Sequence, residues 1–272
     1  MLLDKVFVTF RQLESNGFEF GFRPARPDRC SMSAQPALAV STVIFALRPD
    51  ANGCLKLALP LVRRIRAPFE GRWALPGGPL DAAESISDSA ARTLAATTGL
   101  TPSYLEQLYA FGGLDRSPAL AAGEPTPERV VSIVYWALVG SAEADLTIAS
   151  ENVQWFFADD LPELAFDHNL IVEYALWRLR NKVGYSRVAH GFLSERFTLA
   201  ELREVYEAIL GKQLDPGNFR RAVEASGSVV ATGERLEGTK HRPPMLYRYN
   251  SDFDLTDQGP LKPNPKNTGA TA

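Results

Sequence analysis

Gly78-Pro79-Leu80-Asp81-Ala82-Ala83-Glu84-Ser85-Ile86-Ser87-Asp88-Ser89-Ala90-Ala91-Arg92-Thr93-Leu94-Ala95-Ala96-Thr97-Thr98-Gly99-Leu100 fixes the architecture of the first half of this 272-residue chain. A glycine-rich turn leads into a helix expected from about Ser85 to Thr98, which Gly99 closes in the position a left-handed C-cap favours. Positions 93, 96 and 97 have i, i+3, i+4 spacing and share one helix face, where carboxylates would converge on one cation. Thr93, Ala96 and Thr97 stand there instead. Mg²⁺ takes oxygen ligands, commonly carboxylates plus waters and substrate phosphates, and two threonines with an alanine do not supply them. Glu84 and Arg92 remain as charged groups, and Asp88, one turn before Arg92, is read as its ion-pair partner.

Upstream, Leu38 to Leu47 is rich in β-formers and stops at the turn cluster Arg48 to Gly53, after which Leu55 to Val62 resumes as a strand. Downstream, Val130 to Val139 is almost continuously apolar, the pattern of a strand covered on both faces. Asp115 to Glu128 before it is long and rich in Pro, Ala and Gly, which suggests a mobile loop near a site. Asn152 to Phe157 reads as the last strand of this unit and Asp167 to Lys182 as a helix.

Thr198-Leu199-Ala200-Glu201 fits a capping box and opens a helix whose apolar stripe is Leu199, Leu202, Val205, Tyr206 and Ile209, ended by Gly211. Asp215 with Pro216 opens a second helix, stopped by Gly227, which gives a helix-turn-helix shape. On it Phe219, Ala222 and Val223 are expected inward and Asn218, Arg220, Arg221 and Glu224 outward. Asn and Arg are the residue types that read adenine and guanine edges in the major groove. Strands over Ser228–Thr232 and Met245–Tyr249 flank a glycine-rich basic loop of the kind called a wing, which can reach phosphates or the minor groove. A basic helix face followed by a hairpin can equally be a solvated surface.

Composition frames these parts. The length is a soft prior for two domains, and 45% hydrophobic residues suffices for packed cores. The net charge of −3 gives no whole-chain sign of nucleic-acid binding, yet residues 211 to 250 carry seven Lys/Arg against four Asp/Glu. No apolar run approaches the roughly 18 residues of a membrane span, and no secretory leader is evident. Cys30 and Cys54 lack metal spacing and are read as reduced thiols of a cytoplasmic protein. The expected domains are a poorly ordered extension over 1–35, a ligand-sensing unit over 36–183, a DNA-binding unit over 184–250 and a disordered tail over 251–272. Translation starts at Met1 or at Met32.

The interval pattern of residues 78–100 resembles a Nudix box, with Arg92-Thr93 where the family has Arg-Glu and Ala96-Thr97 where it has Glu-Glu, and the resemblance makes Glu84 and Arg92 architecture that ties the loop to the helix. With Trp73-Ala74-Leu75-Pro76-Gly77-Gly78, Phe197 to Ala208, Leu214 to Arg221 and Thr232-Gly233-Glu234-Arg235, the chain resembles the Nudix-related transcriptional regulator (NrtR) family over about residues 38 to 250. The resemblance implies an α+β fold: a Nudix-type α/β/α sandwich with a mixed sheet, followed by a C-terminal winged helix-turn-helix. It implies a homodimeric repressor of NAD biosynthesis or salvage genes that binds a palindromic double-stranded operator. Its sensor domain binds ADP-ribose or a related NAD metabolite as effector, with no cofactor required and no membrane partner. Arg63, Arg64 and Arg66 near Gly77 and Gly78 are expected to meet the diphosphate, and Arg116 or Arg129 to close over it. Phe69 and Trp73 are either a platform for the base or core aromatics. The DNA-binding set is Asn218, Arg220, Arg221, Thr232, Arg235, Lys240, His241 and Arg242. Two alternatives stay open: a working Mg²⁺-dependent Nudix hydrolase of ADP-ribose-like nucleotides, and a ligand-binding module whose C-terminal unit contacts protein.

Overall fold

The computed structural model describes residues 36–102, 105–113, 116, 129–140, 144–145, 147, 150–183, 187–236 and 243–250. The expected N-terminal extension over 1–35, the tail over 251–272, the wing tip with Lys240, His241 and Arg242, and the loop 115–128 apart from Arg116 lie outside the described residues. Cys30 does too, whereas Cys54 is an exposed free thiol.

A seven-stranded mixed sheet is built on β1 (Ala37–Pro49) and β6 (Val130–Val139), which pair in parallel from Ala37↔Val130 to Ala46↔Val139. On the other side β1 pairs with β2 (Leu55–Arg63) and, nearer its start, with the short β4 (Gly77–Pro79). β2 carries β3 (Trp73–Ala74) and β7 (Val153–Phe157), and β5 (Glu106–Phe111) ends the sheet beside β6. The two short strands β3 and β4 are not anticipated by composition, because two or three residues carry no periodicity.

Strand alternation sorts β1 and β6 into two cores. Val43, Phe45 and Leu47 with Val134 and Trp136 face α2 (His168–Lys182). On the reverse face, Ile44 and Ala46 with Ala137 meet Leu94, and Val40 with Tyr135 meets Ala90, both from α1 (Ile86–Thr98). Both faces are covered, which is why these strands read as nearly unbroken apolar runs. Each buried Leu, Ile or Phe contributes about 1.5–3 kcal/mol. The result is an α/β/α sandwich.

After a 3₁₀ turn (Arg187–Phe192), α3 (Leu199–Leu210) starts from the Thr198/Glu201 capping box, with the Thr198 amide donating to Glu201 Oε2 at 2.7 Å, and Gly211 ends it at φ 66°. Asp215 caps α4 (Pro216–Ser226) by accepting from the Asn218 amide at 2.8 Å, and Gly227 stops it at φ 68°. β8 (Val229–Arg235) and β9 (Met245–Tyr249) form the hairpin. Phe197, Leu202, Val205 and Ile209 belong to the same apolar cluster as the α2 face of the sheet. The winged helix is therefore packed onto the sandwich as well as joined to it by chain.

Two expectations are corrected. Ala222 is exposed: α4 rests on its neighbours through Val223 and half-buried Phe219, the latter edge-on to Tyr206 of α3 at 5.3 Å, and the 222 position turns past that contact. Asp88 does not pair with Arg92; it accepts a hydrogen bond from the Ser85 hydroxyl at 2.6 Å while its amide donates back to that oxygen. Three residues into a helix a carboxylate finds the N-cap more readily than a side chain one turn on.

Candidate functional site

The box helix has the expected frame, with Thr93, Ala96 and Thr97 in the places at issue. Arg92 Nε donates to both Glu84 oxygens at 2.7 and 2.9 Å, which ties the loop to α1 and raises the Arg92 pKa, chiefly through that hydrogen bond. Thr93 is buried beside Gly78, where an added Cβ would lie 3.5 Å from its methyl. The Thr97 hydroxyl donates back to the Thr93 carbonyl at 2.7 Å, and Ala96 faces solvent. Gly78, Pro79, Leu80, Asp81, Arg92 and Thr93 line a shallow depression here. Among the described residues no cluster of three or more His, Cys, Asp or Glu could hold a metal ion. The Mg²⁺ that a Nudix box holds does not fit this face, since Thr93 presents a methyl and Thr97 spends its hydroxyl on the helix backbone. Gly77 is required by a close approach: a Cβ there would stand 2.5 Å from the Val40 carbonyl oxygen.

A second wall is built from the loop after β2 and the start of α2. Phe69 and Phe166 both sit in the left-handed region, at φ 65° and 56°, and their rings meet edge to face at 5.0 Å. Such conformations cost of order 1–3 kcal/mol each and cluster at ligand clamps and active sites. Arg64 lies over the Phe166 ring at 4.7 Å and donates through Nε to the Pro68 carbonyl; burial lowers its pKa. Arg72 lies over Phe69 at 5.4 Å and pairs with Glu163 at 2.6 Å.

His168 sits behind this wall, buried, with its Nδ1 accepting the Leu75 amide at 2.9 Å. Its pKa is pushed down to about 3 by burial first, then by Arg116 and Arg64. The imidazole is neutral and locks β3 to α2. Arg116 is committed to the scaffold, donating to Asp167 at 2.9 Å and to the carbonyls of Phe111 and Val130. This corrects its expected role as a closing arm, because a guanidinium only 7% exposed and bound on both amino groups is not available to a diphosphate. Arg129 is exposed and its carbonyl holds Ala37 at the head of β6. Arg63 donates to the Gly71 carbonyl, while Arg66 and Arg63 both face solvent. Trp73 packs edge-on to Phe156 at 5.1 Å against the main core. The structure thus gathers Arg64 and Phe69 with residues the sequence gave no reason to single out: Arg72, Phe166 and His168.

On α4, the stripe Asn218, Arg221, Ala222 and Ala225 is exposed. The Arg221 guanidinium donates to the Asn218 side-chain oxygen. Arg220 points elsewhere, toward the hairpin, with Nε on Glu224 at 3.0 Å, and the Tyr247 hydroxyl donates to the same carboxylate. It lines a groove with Arg203 of α3 and Arg235 of β8. Arg235 donates to the Pro243 carbonyl at 2.7 Å and Thr232 to the Leu246 carbonyl at 2.9 Å, so both hold the hairpin.

Comparison with known proteins separates the halves and then joins them. Residues 38–174 match the family model described as the NUDIX domain, and residues 189–249 that of the NrtR DNA-binding winged helix domain. Over 226 residues, 81% of this chain and 85% of the relative, the chain is 32% identical to the "ADPR responsive transcriptional repressor NtrR" of Acinetobacter baylyi. The chain belongs to the NrtR family.

NrtR of Shewanella oneidensis, in a crystal structure complexed with a 27mer DNA, is similar at 35% identity and a TM-score of 0.64, covering 78% of this chain and 93% of that one. Over 119 residues, 43% of this chain and 66% of the relative, the chain is 31% identical to an ADP-ribose pyrophosphatase of Methanocaldococcus jannaschii. In this NrtR chain residues of the two matched ranges share one apolar cluster, and among the described residues no helix is long and apolar enough to cross a membrane.

Proposed function

We propose that this chain is a cytoplasmic, homodimeric repressor of NAD biosynthesis or salvage genes, and that ADP-ribose or a related NAD metabolite in its Nudix-like half releases it from a palindromic operator. The observation that carries the reading is the box face itself: a hydrolase frame with Thr93, Ala96 and Thr97 in place of metal ligands, packed onto a winged helix with a free Asn218/Arg221 face. Binding without turnover suits a sensor. The diphosphate is assigned to Arg64, with Arg63, Arg66 and the β4 glycines Gly77 and Gly78, and the base to Phe69. Closing over the diphosphate is assigned to Arg129, and Trp73 backs the wall from the core.

On the DNA side the two neighbouring arginines divide their work. Arg221, with Asn218, reads base edges from the exposed stripe, where Ala222 and Ala225 let the helix approach the groove floor and offer methyls to thymine. Arg220, with Arg235 and Arg203, meets phosphates from the groove, and Thr232 supports the hairpin. Lys240, His241 and Arg242 extend the wing toward the backbone. Half-sites lie about one or two helical turns apart, set by the dimer. Effector release requires that ADP-ribose bind one arrangement of the two winged helices better than the other.

The test is a mobility shift on promoters of NAD-biosynthesis genes, with random competitor, titrated with ADP-ribose and with NAD, the same mixtures being assayed for AMP. Specific retention, released by effector without AMP, is the expected result. Mg²⁺-dependent AMP without retention makes the chain a hydrolase, and absence of salt-sensitive retention points to a protein partner for the C-terminal half.

A further inference from the structure

A cavity of about 560 Å³ opens where the winged helix meets the sandwich, and it shares no lining residue with the effector wall or with α4. That volume falls in the range of sites that take small molecules. Two tight turns shape it. On the sandwich side Asp50 accepts the amides of Asn52 and Cys54 at 2.8 and 3.0 Å, which folds the turn between β1 and β2 and sets Gly53, at φ 79°, and Cys54 in the lining. On the winged-helix side α3 ends at Gly211, and Glu207 holds the chain beyond it by accepting the Leu214 amide at 2.8 Å. The apolar part of the lining comes from both sides. Leu57, Ala158 and Leu176 are buried, Ala208 is half-buried, and Leu55 is left 36% exposed.

The charged lining sorts into groups that are paired and groups that are free. Lys56 lies 3.7 Å from Asp50 and 3.9 Å from Asp159, and Glu207 is held by the Leu214 amide and by Arg203 at 3.5 Å. Arg180 gives only its Nε, to the Ile209 carbonyl at 3.1 Å, and its terminal amino groups have no partner among the described residues. Lys212 and Glu204 are exposed and make no ion pair among the described residues. Two free cations thus stand against one free carboxylate, an excess of one positive charge beside an apolar surface. We infer that the cavity is a second small-molecule site, for an organic monoanion with a flat apolar body, its carboxylate on Arg180 and Lys212 and its body on Leu57, Leu176 and Ala208. A guanidinium offers two parallel amino groups to one carboxylate, which fixes orientation as well as adding charge-assisted hydrogen bonds. A neutral molecule of the same shape gains the apolar contact alone. Because β2 and α2 line one side and α3 the other, the occupant touches both halves of the chain at once. The inference goes beyond the repressor reading and does not depend on it.

The probe is naphthoate, with naphthamide as its neutral counterpart, titrated by calorimetry into the full chain carrying Cys30→Ser, which leaves Cys54 as the single thiol. The expected dissociation constant for naphthoate is on the order of 10⁻⁴ M, with naphthamide about tenfold weaker. Bound naphthoate should slow alkylation of Cys54 by iodoacetamide, half-maximally at that same concentration, which places the probe in this cavity and not in the effector cleft. Lys212→Glu, a change at an exposed position, should weaken naphthoate about tenfold and leave naphthamide unchanged. Ala208→Phe fills the cavity and should abolish binding of both probes and the protection of Cys54, with circular dichroism to verify folding. Equal affinity for the two probes overturns the anion assignment. No binding of naphthoate, binding that leaves Cys54 unprotected, or binding that neither substitution alters overturns the site.

Discussion

Acidification should weaken the wall behind the effector cleft through one residue, His168. The imidazole is buried with its Nδ1 occupied by the Leu75 amide, and burial, Arg116 and Arg64 push its pKa down to about 3. An unfolded histidine titrates near 6.5, so above that pH both states are neutral and the tether contributes fully. As pH falls below 6.5 the unfolded chain takes up a proton that the folded chain refuses, and stability falls at up to about 1.4 kcal/mol per pH unit until the folded pKa is reached. Between pH 7 and pH 5 the loss is about 2 kcal/mol, or about 4–8 °C of melting temperature for a chain of this size. Urea unfolding of wild type and His168→Asn at both pH values isolates this contribution, since the variant keeps an acceptor near the Leu75 amide and removes the titration. The variant should be less stable at pH 7 and should lose about 2 kcal/mol less on acidification. An equal loss in both proteins would refute the assignment of the neutral imidazole as the lock between β3 and α2.

The DNA-side geometry separates the adjacent arginines. Arg221→Ala should cost about 1–3 kcal/mol on the operator and relax preference at one base position in a competition assay, whereas Arg220→Ala should weaken operator and random DNA alike. Arg235→Ala should flatten the salt dependence of binding by about one unit in the log–log slope measured by fluorescence anisotropy. Gly77→Ala drives a methyl into the Val40 carbonyl and should destabilise the fold by about 1–3 kcal/mol in thermal unfolding, while Gly78→Ala, at 3.5 Å from the Thr93 methyl, should cost much less.

The sequence by itself determined the elements whose causes are local or periodic. Thr198 and Asp215 cap helices because a side-chain oxygen reaches the amide three residues on, and Gly99, Gly211 and Gly227 end helices because the left-handed conformation costs glycine little. The apolar run of β6 announced a strand covered on both faces, and the box intervals announced a helix with Thr93, Ala96 and Thr97 on one face. Only the tertiary structure decided which side chains share a site. Phe69 and Phe166 are 97 positions apart along the chain and meet because β3 and the start of α2 are hydrogen-bonded through His168 and Leu75. Arg116, indistinguishable by sequence from a cationic arm, is consumed by Asp167 and two carbonyls. Arg220 and Arg221, equivalent as a dipeptide, diverge because a helix turns 100° per residue, and only the packing of α4 on α3 says which of those directions is the hairpin and which is open. Local caps and periods act within a few residues and are legible in one dimension; long-range pairing depends on the whole sheet closing, and its partners carry no mark in the sequence.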